Sequence, residues 1–196
     1  MPVAYGVHSF ASGCGSYASG NYSVAFGTNA TATTGGAIAV GTAALASGRA
    51  SIAFGVGAEA TGVSSVALGS VASSNGVGSV AAGLKSQASA DGTVALGVQA
   101  QATADSAVAI GNTAQATGEQ SISIGSANQV SGKRSGAIGG SQTTTAYNSV
   151  NGEIADEDKD QATGITSVTG MTLILSVIRM VRLLLIIPVY SVIVML

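Results

Sequence analysis

The chain has 196 residues, of which 46% are hydrophobic and 8% are charged, and its formal net charge is −2. This low charge beside a high apolar content excludes disorder of the highly charged kind. The composition offers no basic stripe, so we expect no nucleic-acid partner.

The first eight residues, 1–8, are predicted to be a lead-in segment. They contain neither a basic n-region nor an apolar h-region, so the N-terminus is not predicted to be a secretory signal peptide. Cys14 is the only cysteine and His8 the only histidine. A lone cysteine forms no intrachain disulfide, and the chain lacks a Cys/His set for zinc. We therefore expect no metal site and no cofactor.

Residues 9–148 are ten copies of one fourteen-residue unit, without insertion or deletion. The stretch AVAIGNTAQATGEQ at 107–120 represents the unit, and SIAFGVGAEATGVS at 51–64 is another copy. A fixed short period indicates a repeat architecture.

Two glycines divide each unit into halves. Glycine occupies position 5 in every unit and position 12 in six of them, and we expect both to supply the positive φ of tight bends. Glycine at this density excludes a helix, since each costs roughly 1 kcal/mol against alanine. Position 11 is always Ser, Thr or Asn, which is suited to hydrogen bonding within its own turn.

The first half of each unit alternates with a period of two, which predicts a strand. Large apolar residues occupy positions 2 and 4, and Ser, Thr or Ala occupies positions 1 and 3. In the unit 107–120, we expect Val108 and Ile110 to fill the coil. Ala107 and Ala109 are expected on a flat outer face that meets other chains.

Each unit is thus predicted to form one turn of a flattened coil with two short strands. Stacking at about 4.8 Å would pair every strand in parallel with its copies above and below. So thin a coil buries little apolar area, and we expect it to associate with further copies of itself.

The motifs SVALG, SIAFG and AVAIG, each followed by a segment such as AxATG, resemble the head repeats of trimeric autotransporter adhesins of the YadA-like family. The resemblance implies an all-β fold, a left-handed parallel β-roll (a β-solenoid of fourteen-residue coils) and a homotrimer. It also implies display at a bacterial cell surface, in the outer membrane. Adhesion to host matrix proteins such as collagen, or to cell-surface receptors, follows from the same resemblance. The family's neck and heptad stalk are not recognised, so the resemblance extends to the head module, and membrane attachment is expected only through an anchor not recognised here.

Repeat order weakens in 149–170, which we interpret as degenerate repeats around an acidic loop. Asp156, Asp158 and Asp160 alternate as calcium ligands do in a calcium loop. Gln161 and Ser167 stand where such a loop has glycine and glutamate, so a solvated acidic loop is the favoured interpretation.

Residues 171–196 form a hydrophobic tail of different composition. Arg179 and Arg182 would cost roughly 2.5–3.5 kcal/mol each near the centre of a membrane span, and Pro188 interrupts the apolar run. Three interpretations remain open: a poor membrane anchor, a strand-rich cap on the rod, and a non-native tail from a shifted or truncated reading frame. The abrupt change of composition favours the last.

No catalytic set is predicted. His8 precedes the repeats, and the carboxylates Glu59, Asp91, Asp105 and Glu119 form no obvious acid/base pair. Solenoid acyltransferases have six-residue repeats and a catalytic histidine, and an ice-binding solenoid would need a regular Thr-x-Thr array, so neither alternative fits. We expect a protein that is not an enzyme.

The predicted function is non-catalytic, multivalent binding by a repetitive trimeric rod. No ligand-binding residue is assigned, but ligand contacts are expected at positions 6, 7, 9, 13 and 14. In the representative unit these positions hold Asn112, Thr113, Gln115, Glu119 and Gln120. A structural segment of a trimeric phage tail fibre, or a spacer, is the alternative.

Overall fold

The protein is described by a computed structural model that covers residues 1–144 and 150–152. The predicted acidic loop and the hydrophobic tail lie outside these residues. The division into four segments stays a prediction.

The described strands form two parallel sheets of eleven strands each. The sheet of even-numbered strands, here the long-strand sheet, consists of β2 (Phe10–Ser12), β4 (Val24–Phe26), β6 (Ile38–Val40), β8 (Ile52–Phe54), β10 (Val66–Leu68), β12 (Val80–Ala82), β14 (Val94–Leu96), β16 (Val108–Ile110), β18 (Ile122–Ile124), β20 (Gly136–Ile138) and β22 (Val150–Gly152). The sheet of odd-numbered strands, here the short-strand sheet, consists of β1 (Val3–Ala4), β3 (Tyr17–Ala18), β5 (Thr31–Ala32), β7 (Leu45–Ala46), β9 (Glu59–Ala60), β11 (Ser73–Ser74), β13 (Gln87–Ala88), β15 (Gln101–Ala102), β17 (Gln115–Ala116), β19 (Gln129–Val130) and β21 (Thr143–Thr144).

Every strand pairs with residues fourteen positions along the chain, as in the alignment of Val66 with Val80 and of Gln87 with Gln101. This register confirms the parallel solenoid with fourteen-residue coils. The register also holds outside the ten units, because β1 pairs with β3 and β22 pairs with β20.

Two β-turns close each coil. In the coil 23–36, the Ala30 N–H donates to the Gly27 carbonyl at 3.3 Å, and the Ala37 N–H donates to the Thr34 carbonyl at 3.1 Å. The third residue of each turn, at position 7 or 14, has a left-handed backbone. Fifteen of these residues are not glycine, and their φ values lie between 53° and 60°.

The two glycine columns differ in backbone conformation, although the backbone of the next coil lies close to both. Glycines at position 5 have φ between 116° and 141°, as the sequence predicted. Glycines at position 12 do not have a positive φ, so the prediction of a positive φ there was wrong. A Cβ on Gly48 would lie 1.9 Å from the carbonyl oxygen of Gly62 in the next coil, so close approach of stacked backbones excludes the side chain.

The interior of the coil is lined by positions 1, 3, 8 and 10, which hold Ala, Ser or Thr in nearly every unit. Ala107 and Ala109 are fully buried, whereas Val108 and Ile110 point outward and are only half-buried. The expectation that the valine and isoleucine columns fill the coil, and that the small residues form an outer face, was therefore wrong.

The physical reason is the width of the coil. The two turns join strands of two and three residues, and they hold the sheets so close that nearly all the side chains between them are Ala, Ser or Thr, with Asn128 and Val130 as larger exceptions. The period of two decides that alternate residues share a face, but it does not decide which face is inside.

Hydrogen bonds between coils continue through the turns. The Gly27 N–H donates to the Ser12 carbonyl at 2.8 Å, and the Gly36 N–H donates to the Asn21 carbonyl at 2.9 Å. Position 11 contributes to this stacking: the Thr61 hydroxyl donates to the Asn75 side-chain oxygen of the next coil at 2.9 Å. The expectation that position 11 bonds within its own turn is corrected accordingly.

Candidate functional site

The solenoid presents three outer surfaces, because the small interior leaves most larger side chains outside. The outward positions 2 and 4 belong to the long-strand sheet, position 9 belongs to the short-strand sheet, and positions 13 and 14 belong to one turn. Each surface repeats once per coil and runs along the rod.

The first surface, the apolar stripe, consists of the outward side chains at positions 2 and 4 from Phe10 to Ile138. Phe54 is 56% exposed and Leu68 is 41% exposed. Val, Ile, Leu or Phe occupies most of these positions, so the stripe is two side chains wide and about ten coils long. Monomeric proteins rarely expose contiguous apolar patches beyond a few hundred Å².

The stripe has one notch. Gly136 replaces the Val or Ile of position 2, and an open depression of about 260 Å³ forms beside Ile122 and Ile138. Gln120 and Arg134 border the depression on its turn side.

The second surface is an open groove of about 330 Å³ on the short-strand sheet. We call it the glutamine face, and its residues are Lys85, Gln87, Gln99, Gln101, Thr113 and Gln115. They come from positions 7 and 9 of three successive coils. The column at position 9 continues to Gln129, which pairs with Gln115.

The third surface is the charged turn at positions 13 and 14. Of the eight charged residues in 1–144, six lie there: Arg49, Asp91, Asp105, Glu119, Lys133 and Arg134. Lys133 and Glu119 form an ion pair at 2.6 Å between successive coils, with both side chains nearly half exposed. An ion pair so exposed contributes little to stability, so this turn is a solvated surface.

The predicted contact residues of the unit 107–120 do not form one site. Thr113 and Gln115 belong to the glutamine face, and Asn112 is exposed at the adjacent turn. Glu119 and Gln120 lie on the charged turn. Gln120 accepts a hydrogen bond from the Arg134 Nε at 3.0 Å.

Aromatic residues gather at the N-terminal end. The His8 ring stacks on Tyr22 with centroids 5.5 Å apart, and Tyr5 meets Tyr17 edge to face at 6.0 Å. Cys14 is exposed at position 6 of the first coil. Among the residues that the structure describes, no arrangement typical of nucleophilic catalysis is built around His8 or Cys14.

The part of the chain that the structure describes contains no group of three or more His, Cys, Asp or Glu residues able to hold a metal ion. Asp156, Asp158 and Asp160 lie outside it, so the interpretation as an acidic loop stays a prediction. Among residues 1–144 and 150–152 there is also no helix of the length and hydrophobicity that a membrane span requires.

Sequence reasoning missed the apolar stripe as an outer surface. The signal was present at positions 8 and 10, which hold Ala, Ser or Thr in nearly every unit, as positions 1 and 3 do in all of them. Two faces of alanine and serine can pack against each other without voids, whereas valine opposite alanine would hold the sheets apart. Comparing side-chain size in the two halves of the unit therefore identifies the interior positions.

Comparison with known proteins gives a family and similarity to solved structures. The YadA head domain repeat family matches residues 4–30, 18–44, 46–72, 74–100, 88–114, 102–128 and 116–141. The chain is similar to the crystal structure of the collagen-binding domain of the Yersinia adhesin YadA, with 28% sequence identity and a TM-score of 0.48. That similarity covers 80% of this chain and 78% of the other. No curated protein matches.

Proposed function

Because the chain belongs to the YadA head domain family, we propose that it is the adhesive head of a bacterial cell-surface protein. In this proposal three chains associate as left-handed solenoids and bind host matrix proteins such as collagen, or cell-surface receptors, without catalysis. The family supports an adhesin-type function, and the proposal adds the assembly, the class of partner and the location in the outer membrane.

The observation that carries the proposal is the apolar stripe. Its side chains are half exposed in a single chain, whereas the interior consists mostly of Ala, Ser and Thr. A thin solenoid with an alanine interior gains little from burial, and an association that covers the stripe supplies the missing hydrophobic stabilisation. The family resemblance implies that three chains meet there.

The remaining surfaces suit multivalent binding. In a trimer with the stripe inside, the short-strand sheet faces outward, because the two sheets turn their small residues toward each other. Each outward position then recurs in every coil of three chains. Weak contacts to a repetitive partner can sum to high avidity, typically by about 10²–10⁴ over one contact.

The test is solid-phase binding of the full chain to collagen, to other matrix proteins and to cells. A variant with Phe54→Lys and Leu68→Lys places charges on the stripe. A matched control, Glu59→Lys with Ser73→Lys, places them in the same coils on the short-strand sheet. Loss of the trimer in the first variant is expected to weaken binding by about 100-fold or more, while the control retains a trimer.

Absence of binding of the wild-type chain to every matrix protein and cell type would contradict the adhesive proposal. A trimer that binds nothing would instead support the alternative of a spacer or a phage tail-fibre segment.

A further inference from the structure

Aromatic side chains are concentrated in the first coils of the solenoid. Of the six Phe and Tyr residues in 1–144, five lie between residues 5 and 26. Phe10 and Phe26 belong to the apolar stripe, whereas the other three lie outside it, at positions 9, 11 and 14. These three tyrosines and the neighbouring histidine form a surface that we call the aromatic patch: Tyr5, His8, Tyr17 and Tyr22.

The rings of the patch form two pairs that begin in one turn. Tyr5 meets Tyr17 edge to face with ring centroids 6.0 Å apart, and His8 stacks on Tyr22 at 5.5 Å. Tyr5 and His8 are three positions apart in the chain, a length that spans at most about 11 Å. A single ligand can therefore contact both pairs.

The fold does not require these rings. Tyr5 is 75% exposed and Tyr22 is 66% exposed. Tyr22 also has a left-handed φ of 60°, which is unfavourable for a bulky side chain, and Gly36 occupies the same position in the next coil. An exposed ring on an unfavourable backbone indicates a contact with a partner rather than a role in folding.

The surroundings of the patch are polar but uncharged. Residues 1–48 contain no Asp, Glu, Lys or Arg. Within the described part of the chain, the hydroxyls of the three tyrosines make no hydrogen bond. The Asn21 Oδ1 accepts from the Val7 N–H at 3.0 Å, which leaves the Asn21 NH₂ group as a donor beside Tyr22. The patch therefore combines flat ring faces with donors and acceptors at their edges.

We propose that the aromatic patch binds an uncharged oligosaccharide. A pyranose ring presents C–H bonds on its face and hydroxyls around its rim. The negative face of an aromatic ring attracts the C–H bonds, and the tyrosine hydroxyls exchange hydrogen bonds with the rim. Because residues 1–48 hold no cationic Lys or Arg, a sialylated or sulfated sugar would find no opposite charge there, so neutral sugars are favoured.

A proline-rich peptide is the competing partner, since aromatic surfaces also bind polyproline helices. Proline has no backbone N–H, so a polyproline backbone offers acceptors without donors. The patch has both donors and acceptors, and each sugar hydroxyl can serve as either. The polar groups of the patch therefore match a sugar better than a polyproline helix.

The experiment measures binding of the full chain to an array of neutral oligosaccharides and of their sialylated and sulfated counterparts. The neutral members are expected to bind, and the charged counterparts are expected to bind more weakly. Calorimetric titration then uses the neutral oligosaccharide lacto-N-neotetraose, which ends in galactose. One face of a galactose ring carries C–H bonds alone near its axial hydroxyl's opposite side, so it suits an exposed tyrosine ring.

The test variant is Tyr17→Thr with Tyr22→Gly, which gives the first coil the residues of the next coil at positions 9 and 14. Binding of lacto-N-neotetraose is expected to weaken by about tenfold or more, because one ring of each pair is lost. The Tm is expected to change little, since glycine adopts the left-handed φ of residue 22 without strain.

The matched control is Leu45→Thr with Ala50→Gly. It makes the same replacements at positions 9 and 14, two coils further along the chain and outside the patch. The control is expected to bind the oligosaccharide as the wild-type chain does.

A wild-type chain that binds no neutral oligosaccharide would overturn the inference, as would equal binding by the test variant and the control. Stronger binding of the sialylated or sulfated counterparts, or binding of a polyproline peptide in place of the sugars, would also overturn it. The inference needs neither the trimer nor a matrix protein. A chain that binds the neutral sugar but no matrix protein or host cell contradicts only the adhesive proposal.

Discussion

The two sheets of the solenoid share one interior of alanine and serine but differ in what they turn outward. The long-strand sheet exposes Val, Ile, Leu and Phe, and the short-strand sheet exposes mostly polar uncharged residues. The larger apolar residues thus lie outside and the smaller ones inside, because the width of the coil decides which side chains fit between the sheets. The difference assigns folding of one chain to the small residues, and under the proposed function it assigns association to the large ones.

Enlarging an interior residue should break this arrangement most strongly. Ala95→Val adds two methyl groups to a fully buried position on β14, and we expect a loss of about 3 kcal/mol in the free energy of unfolding. Val94→Ile, a change of one methyl group on the outward neighbour, is expected to cost less than about 1 kcal/mol. Chemical unfolding at a fixed chain concentration compares the two. Equal losses would mean that both faces are equally confined.

Asn128 is a fully buried interior residue at position 8, where most units have Ala or Ser. Its Nδ2 donates to the carbonyls of Ile124 at 2.7 Å and Gly139 at 2.8 Å, and its Oδ1 accepts from the Gln142 N–H at 2.8 Å. Asn128→Ala should cost about 2 kcal/mol, because three part-buried backbone groups lose their partners. Thermal unfolding measures the loss of stability and compares it with that of an outward control, Gln129→Ala. A loss of stability no larger than that of the control would contradict the role given to the Asn128 hydrogen bonds.

The turns offer a stabilising change. Val71 has a left-handed φ of 57° with an exposed, β-branched side chain, and asparagine tolerates this conformation better. Val71→Asn is expected to raise the free energy of unfolding by about 1 kcal/mol. Val63→Asn, at position 13 without a positive φ, is the control and should give no gain. A rise in Tm for both variants would assign the effect to polarity.

The smallest effect concerns the buried hydroxyls of position 1. Ser79 donates to the Gly76 carbonyl at 2.7 Å, whereas the fully buried Ser121 hydroxyl has no hydrogen-bond partner in the described residues. Ser79→Ala should cost about 1 kcal/mol, and Ser121→Ala should be neutral or slightly stabilising. Differential scanning calorimetry measures the stability of the two variants. An equal loss of stability in both would show that the Ser121 hydroxyl also has an acceptor.

The sequence was sufficient for the period, the strand positions and the parallel register, because insertion-free repeats constrain all coils at once. It left the orientation of Val108 and Ile110 open, since alternation defines two faces without stating how far apart the sheets lie. The glutamine face was predictable only in part. Gln115 was named as a contact residue, but its grouping with Lys85 and Gln99 depends on the stacking of position 7 beside position 9.

The molecular mass of the full chain in solution tests the central claim, that the outward apolar stripe holds the chains together. Sedimentation equilibrium of the wild-type chain and of the Glu59→Lys, Ser73→Lys control is expected to give three times the 18.8 kDa chain mass at low concentration. Phe54→Lys with Leu68→Lys is expected to give a smaller mass, with the β-sheet signal in circular dichroism followed in parallel. A wild-type monomer, or a stripe variant that remains a trimer, would contradict the account.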